Sequence, residues 1–264
     1  MGATLVRLAP GYGVTEEELD SRLSAQSLQA IRHSQVFEGN IASFYLHHCG
    51  RLLHGDLGVS SSLHVPVRQL IAERLPETLK SVGIGTLLGW VAGLGLALIV
   101  VITRSPIVDL ATSLGATIVL CVPAAVLALL CVIARVPGRV VIAVVVFPKV
   151  FQYARNLLVR NAALPHVITA TSKGLSSARV FWWHILPMVA PELFAVAGVT
   201  ITMAFAAAIP VEALCDLPGL GQLAWKAALS RDLEVLVSLT MIVTLITLFA
   251  NTAAEGLGRA LARR

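Results

Sequence analysis

The chain has 264 residues, 56% hydrophobic and only 13% charged, with a formal net charge of +5. Mean hydropathy is +0.82 and the pI is near 9.3. Soluble domains are about 45–50% apolar and about 25% charged, so this composition excludes an ordinary soluble protein and points to the membrane.

The first 78 residues are polar and mixed. Residues 15–35 read as a helix, capped by Thr15, with Glu16, Glu17 and Glu18 favouring its N-terminal dipole. No basic flank, apolar core and cleavage site of a signal peptide is visible. His47, His48 and His54 lie near Cys49 and Asp56, but without regular ligand spacing, so they read as a polar loop rather than a metal centre.

Four long apolar runs follow: 82–102, 110–134, Leu193–Leu214 and Val235–Ala254. Each has about the 20 residues that a membrane helix needs. A fifth, 139–158, reaches spanning length only by taking in Lys149 and Arg155, which must face the protein interior or reach to the interface. Gly85, Gly89 and Gly93 repeat every fourth residue, a pattern for close helix packing. Pro123 and Pro210 fall inside runs, where membrane helices tolerate proline. Cys121 and Cys131 also lie in apolar runs, where a thiol usually only packs. The expected fold is all-α: a polytopic membrane bundle of about five transmembrane helices over residues 79–264, preceded by an external region, 1–78.

Positive charge in short loops marks the cytoplasmic side. With residues 1–78 outside, the inner segments hold Arg104, Arg155, Arg160, Lys173, Arg179, Arg259, Arg263 and Arg264. The short outer loops hold Arg135, Arg139, Lys226 and Arg231, so the bias favours this orientation. The basic residues are scattered and not gathered with aromatics, which argues against a nucleic-acid surface.

Residues 160–190 then form a cytoplasmic loop. It reads as two short helices meeting at Gly174, the first ending at Lys173 and the second capped by Ser176 or Ser177 and closed by Pro187. Val180, Trp183 and Pro187 are expected on one face, with Phe181 beside it. Phe181, Trp182 and Trp183 can equally lie in the membrane interface, where Trp is enriched.

This segment resembles the signature loop of the permease subunits of ABC importers. That pattern is E-A-A-x-x-x-G, nine variable positions, then I-x-L-P. Thr169 and Ala170 stand at the alanine positions, Gly174 at the glycine and Leu186-Pro187 at the close. Ile168 replaces the acidic residue and His184 the isoleucine, as is usual in the dipeptide, oligopeptide and nickel branch. The Lys173-Gly174 pair and Arg179 also resemble that branch. So do RLAPG at 7–11, LLHGDLGVS at 52–60 and ERLPETL at 73–79, in order. The segment 211–236, with Glu212, Pro218, Gly219, Gly221, Arg231 and Asp232, is similar to its last external loop.

The resemblance implies a permease half of an ATP-driven importer in a bacterial or archaeal inner membrane. It implies a second homologous permease, two cytoplasmic ATPase subunits and an external solute-binding protein as partners. It also implies an ATPase-coupling role for Thr169, Ala170, Lys173, Gly174, Arg179, Trp183, Leu186 and Pro187. The solutes of that branch are peptides, nickel chelates and related compounds. No phosphate-cradling GxxxxGK[ST], GxSxG elbow or HExxH helix is present. No cofactor is therefore expected in this chain, and ATP belongs to the partners. A membrane enzyme or a secondary transporter stays open as the alternative, although ionisable groups are not clustered at membrane depth. The family pattern has six spans, with one before RLAPG, whereas five are counted here. The expectation is either a start upstream of Met1 or a truncated permease.

Overall fold

The structure is a computed structural model and describes residues 57–262 together with Gly50. The expected helix at 15–35, RLAPG, the His47, His48, Cys49, His54 and Asp56 group and the last two arginines lie outside the described residues. The helices are α1 (Val67–Thr103), α2 (Pro106–Cys121), α3 (Ala124–Ile133), α4 (Gly138–Ala162), α5 (Pro165–Ser172), α6 (Ser177–Val180), α7 (Leu186–Leu214), α8 (Leu220–Leu229) and α9 (Leu233–Ala262), with a π-helical turn at Phe181–Ile185 between α6 and α7. Among the described residues the only β pairing is one isolated bridge, Val59 to Pro66.

Four helical segments are long and apolar enough to cross a membrane: Val67–Thr103, Gly138–Ala162, Phe181–Leu214 and Leu233–Ala262. The pair α2 and α3 makes a fifth candidate, bent by 98°. The chain is thus an all-α, multi-pass membrane protein, and the charged segment 139–158 is part of a full span. The expectation of one unbroken span over 110–134 is corrected. Pro123 has no N–H to continue the helix, and its ring disfavours helical geometry in the residue before it. Val122 accordingly takes φ −85° and ψ 123°, and Pro123 becomes the cap of α3. The helix α1 also starts well before residue 82 and runs through Pro76.

The described residues form two compact units: 57–72 with Lys226–Thr240, and Glu73–Trp225 with 241–262. In the larger unit the core is built on α4. Ile142, Val146 and Val150 are fully buried along one face. A Cβ on Gly85 would lie 2.7 Å from Ile142, one on Gly89 3.0 Å from Val146 and one on Gly93 2.8 Å from Val150. Both partners advance by four residues per contact, so α1 and α4 run in the same direction. Parallel neighbours need a return crossing between them, which assigns α2 with α3 to one broken span. Gly258 approaches the Pro191 carbonyl and Gly198 approaches Asn251, so α7 and α9 are antiparallel. The Trp90 indole N–H donates to the Thr200 hydroxyl at 3.0 Å and joins α1 to α7.

One charge pair ties α4 to α2. Arg155 donates from Nε to Asp109 Oδ1 at 2.6 Å and from Nη2 to Oδ2, a two-pronged bond between α4 and α2. This accounts for one of the two cations that made the 139–158 run ambiguous. The bidentate fork satisfies both carboxylate oxygens and fixes α2 on α4.

The glycine seam leaves no room for a side chain. Gly89→Leu or Gly93→Leu is expected to lower stability by about 1–3 kcal/mol or block folding, as overpacking does. Gly95→Ala, where a Cβ meets open space, should be neutral. Thermal unfolding of the purified variants in detergent checks the contrast.

Candidate functional site

The loop between α4 and α7 folds as a hairpin. The helix α5 ends with the 6→1 return of a Schellman-type cap: after the last α-helical bond, from Lys173 N–H to the Thr169 carbonyl at 3.1 Å, Leu175 N–H donates to the Ala170 carbonyl at 3.4 Å. This return requires a left-handed residue, and Gly174 has φ +76°. A Cβ on Gly174 would meet open space, so conformation and not crowding demands glycine here. The Ser176 carbonyl accepts the Val180 N–H at 3.0 Å and opens the second helix.

Two expectations for this second helix are corrected. Pro187 does not close it; Pro187 is the second residue of α7, which carries the helix on past it. The π-helical turn just before it takes up the mismatch: Leu186 N–H donates to the Phe181 carbonyl, five residues back. That extra residue also rotates the faces. Val180 is 3% exposed but Trp183 is 77% exposed, and Pro187 is exposed as well. The buried stripe instead runs Val180, Ile185, Val189, stepping five and then four residues.

The inner side of the hairpin joins a core cluster through Val167, Ala170, Val180 and Ile185, with Leu175 and Phe181 packed against it. Its outer side presents Thr169, Lys173, Gly174, Arg179, Trp182 and Trp183 to the surroundings. Leu186 is half-buried. Thr169 donates its hydroxyl to the Pro165 carbonyl at 2.9 Å, which leaves that oxygen partly occupied within α5. The structure therefore sorts the signature residues into one packing residue, Ala170, and an exposed basic and aromatic set.

The 211–236 segment holds two buried carboxylates. Glu212, near the end of α7, is fully buried. Its Oε2 accepts from Thr78 Oγ1 at 3.1 Å and Gly221 N–H at 2.7 Å, and its Oε1 accepts from Ser81 Oγ at 3.1 Å. Leu220 N–H donates in turn to Thr78 Oγ1 at 2.7 Å. The start of α8 thus turns its free N–H groups to the Glu212 carboxylate and to the Thr78 hydroxyl bound to it. A side chain on Gly219 would fall on the Glu212 carboxylate, and one on Gly221 would lie 2.7 Å from the Ala208 carbonyl oxygen. Pro218 is exposed and leads the chain into this turn.

In the smaller unit, Asp232 caps α9. Its Oδ1 accepts the Val235 N–H at 3.2 Å. Its Oδ2 accepts from Ser60 Oγ at 2.6 Å, Ser62 N–H at 3.2 Å and Ser62 Oγ at 3.0 Å. Burial alone would raise its pKa; the donors outweigh that and hold it below the usual carboxylate value. Arg231 beside it is exposed, with φ 55°. Sequence reasoning named Glu212 and Asp232 but missed their partners. Thr78, Ser81, Ser60 and Ser62 are common polar residues more than 130 positions away, and no spacing connects them.

Gly219→Ala and Glu212→Ala are each expected to cost about 1–3 kcal/mol, the scale of a broken buried hydrogen-bond set, and to be less than additive together because they disturb one network. Melting curves of the single and double variants test this. Because the Asp232 pKa is depressed, its stabilisation is present above the ordinary carboxylate pKa and lost as pH falls through the depressed value. Asp232→Asn should therefore destabilise at pH 7, with the difference from wild type shrinking in acid; melts across a pH series check the sign.

Residues 85–264 match the family described as the binding-protein-dependent transport system inner membrane component. The oligopeptide transport system permease protein OppB of Salmonella typhimurium is 24% identical over 260 residues, covering 90% of this chain and 84% of that protein. OppB of Escherichia coli K12 is 23% identical over the same shares. The inner membrane ABC transporter permease protein YejB of Escherichia coli O157:H7 is 30% identical over 112 residues, 41% of this chain and only 30% of YejB. Among solved structures, an inward-facing conformation of the methionine ABC transporter MetNI superposes with TM-score 0.65 at 18% identity, over 74% of this chain and 97% of that one, which is a likeness of fold. With a match across most of its length, the chain belongs to the family of binding-protein-dependent transport system inner membrane components, and is a transporter's permease component rather than an enzyme.

Proposed function

We propose that this protein is one permease half of an ATP-driven importer of peptides or related solutes such as nickel chelates, in a bacterial or archaeal inner membrane. It pairs with a second homologous permease, two cytoplasmic ATPases and an external solute-binding protein. The peptide assignment rests on its relatives, two of which are oligopeptide permeases matched over 90% of this chain. The family description supports the binding protein as a partner. Residues 1–78 and the 211–236 segment are external in this reading, and 160–190 is cytoplasmic, as the distribution of Arg and Lys favours.

The observation that carries the coupling role is the two-sided hairpin. Val167, Ala170, Val180 and Ile185 anchor one side in the core. Lys173, Arg179, Trp182 and Trp183 stay exposed on the other. An exposed aromatic pair rimmed by cations is the composition of an interface centre, since Trp and Arg are enriched at hot spots. The second helix continues through the π turn into α7, so a push on the hairpin moves a membrane helix. The ATPase supplies the push and α7 transmits it.

Gly174→Val places a β-branched residue at positive φ, which costs about 1–2 kcal/mol for ordinary residues and more for branched ones. Assembled in proteoliposomes with its partners and the loaded binding protein, the Gly174→Val complex should hydrolyse ATP without importing peptide, or fail to retain the ATPase. Gly174→Asn, which tolerates the left-handed region, should keep coupled uptake. Wild-type uptake by Gly174→Val would refute the coupling role.

A further inference from the structure

Lys149, unlike the three arginines of α4, has no carboxylate partner among the described residues. Lys149 lies eleven residues from Gly138 and thirteen from Ala162. At about 1.5 Å per residue it is roughly 16 Å along the helix from its nearer end, well inside the candidate span Gly138–Ala162. No carboxylate among the described residues is within salt-bridge distance of its ammonium; the ion pairs of the spans go to Arg139, Arg155, Arg160 and Arg259. Its ammonium lies over the face of Tyr153, 5.0 Å from the ring centroid. A lysine at the centre of a membrane helix costs about 2.5–3.5 kcal/mol on insertion scales, and such residues mark solute or ion pathways by default.

Lys149 also lines a half-open cleft of about 260 Å³ between α4 and α7, with Tyr153, Leu157, Glu192, Ala195, Val196 and Val199. Glu192 does not neutralise it, because both Glu192 oxygens accept from Arg160 Nη2, at 2.9 and 3.0 Å. Lys149, Glu192 and Arg160 together leave one positive charge. The rest of the lining is aliphatic apart from Tyr153. Ligand pockets usually hold about 300–1,000 Å³, so this cleft suits one end of a larger solute rather than the whole.

We propose that Lys149 is a binding residue of the transport path: its ammonium takes the carboxylate of the passing solute, while Leu157, Val196 and Val199 receive the adjoining apolar group. This rests on the importer reading and deepens it, since a free carboxylate is what every linear peptide carries at its C-terminal end. Tyr153 stands in for the anion when the cleft is empty, and a cation–π contact is weak enough to be displaced by a carboxylate.

The test uses the complete transporter in proteoliposomes of phosphatidylcholine, with its binding protein, and measures uptake of tri-alanine and of tri-alanine amide. Lys149→Gln should reduce tri-alanine uptake by about tenfold or more, the value of one lost charge-assisted hydrogen bond, and bring the acid-to-amide ratio towards one. Lys149→Arg should keep the wild-type ratio. Lys149→Cys should be restored by aminoethyl methanethiosulfonate, which returns an ammonium, and not by the sulfonatoethyl reagent. ATP hydrolysis stimulated by the loaded binding protein reports that each variant is assembled. An unchanged ratio in Lys149→Gln, or rescue by both reagents, would overturn the proposal. An effect that appears only when anionic lipid is added would assign the cleft to a lipid headgroup and overturn it too. A wild-type complex that imports neither probe would instead refute the peptide-importer reading itself.

Discussion

The close approach of α1 to α4 is the constraint on which the larger unit depends. Association of helices in lipid gains little from the hydrophobic effect, because the tails are as apolar as the side chains. Contact has to come from packing, and packing is tightest where one helix offers no side chains. Gly85, Gly89 and Gly93 let the α1 backbone reach Ile142, Val146 and Val150. The same contacts set the two helices parallel, and so require the chain between them to recross. The broken span α2–α3 answers that requirement, and the Arg155–Asp109 fork holds its first half against α4.

Where the chain leaves the spans, buried carboxylates organise it. Glu212 gathers two hydroxyls from α1 and an N–H from the start of α8, and the glycine at 219 exists to make room for it. Asp232 does the same within the smaller unit for the Ser60–Ser62 turn and the first turn of α9. Both are carboxylates set among N–H and O–H donors, with no ion pair to a cation among the described residues. Removing such a group strands several donors at once, which is why loops of this design hold one geometry.

The π turn at Phe181–Ile185 links local structure to the proposed coupling role. One extra residue in the helix lets Pro187 follow without breaking it. It also turns Trp182 and Trp183 outward while Val180 and Ile185 stay in the core. A straight α-helix through the same residues would bury Val180 together with Trp183, three residues on, and would leave a smaller exposed surface. A π-bulge is thus the feature that makes the hairpin two-sided, and such bulges recur at functional sites.

Much of this was legible in the residues themselves. Long runs of apolar side chains must become helices in lipid, because only then is every backbone group satisfied within the segment. The five apolar runs, the positive φ at Gly174 and the glycine seam follow from that rule and from residue chemistry, and the family motifs were legible as a resemblance. Tertiary structure alone decided the rest. Pro123 reads as a tolerated proline, yet the angle it makes depends on which neighbours cover the break. The helical period placed Trp183 beside Val180, but a single π turn shifted the register by one residue, and no composition signals such a turn. The partners of Glu212 and Asp232 are distant hydroxyls that become specific only when folding brings them within 3.2 Å of a carboxylate. Lys149 and Arg155 look alike in sequence, one turn and a half apart on the same helix. Only the position of α2 gives one of them an aspartate, and only the cleft beside α7 leaves the other facing open space without one.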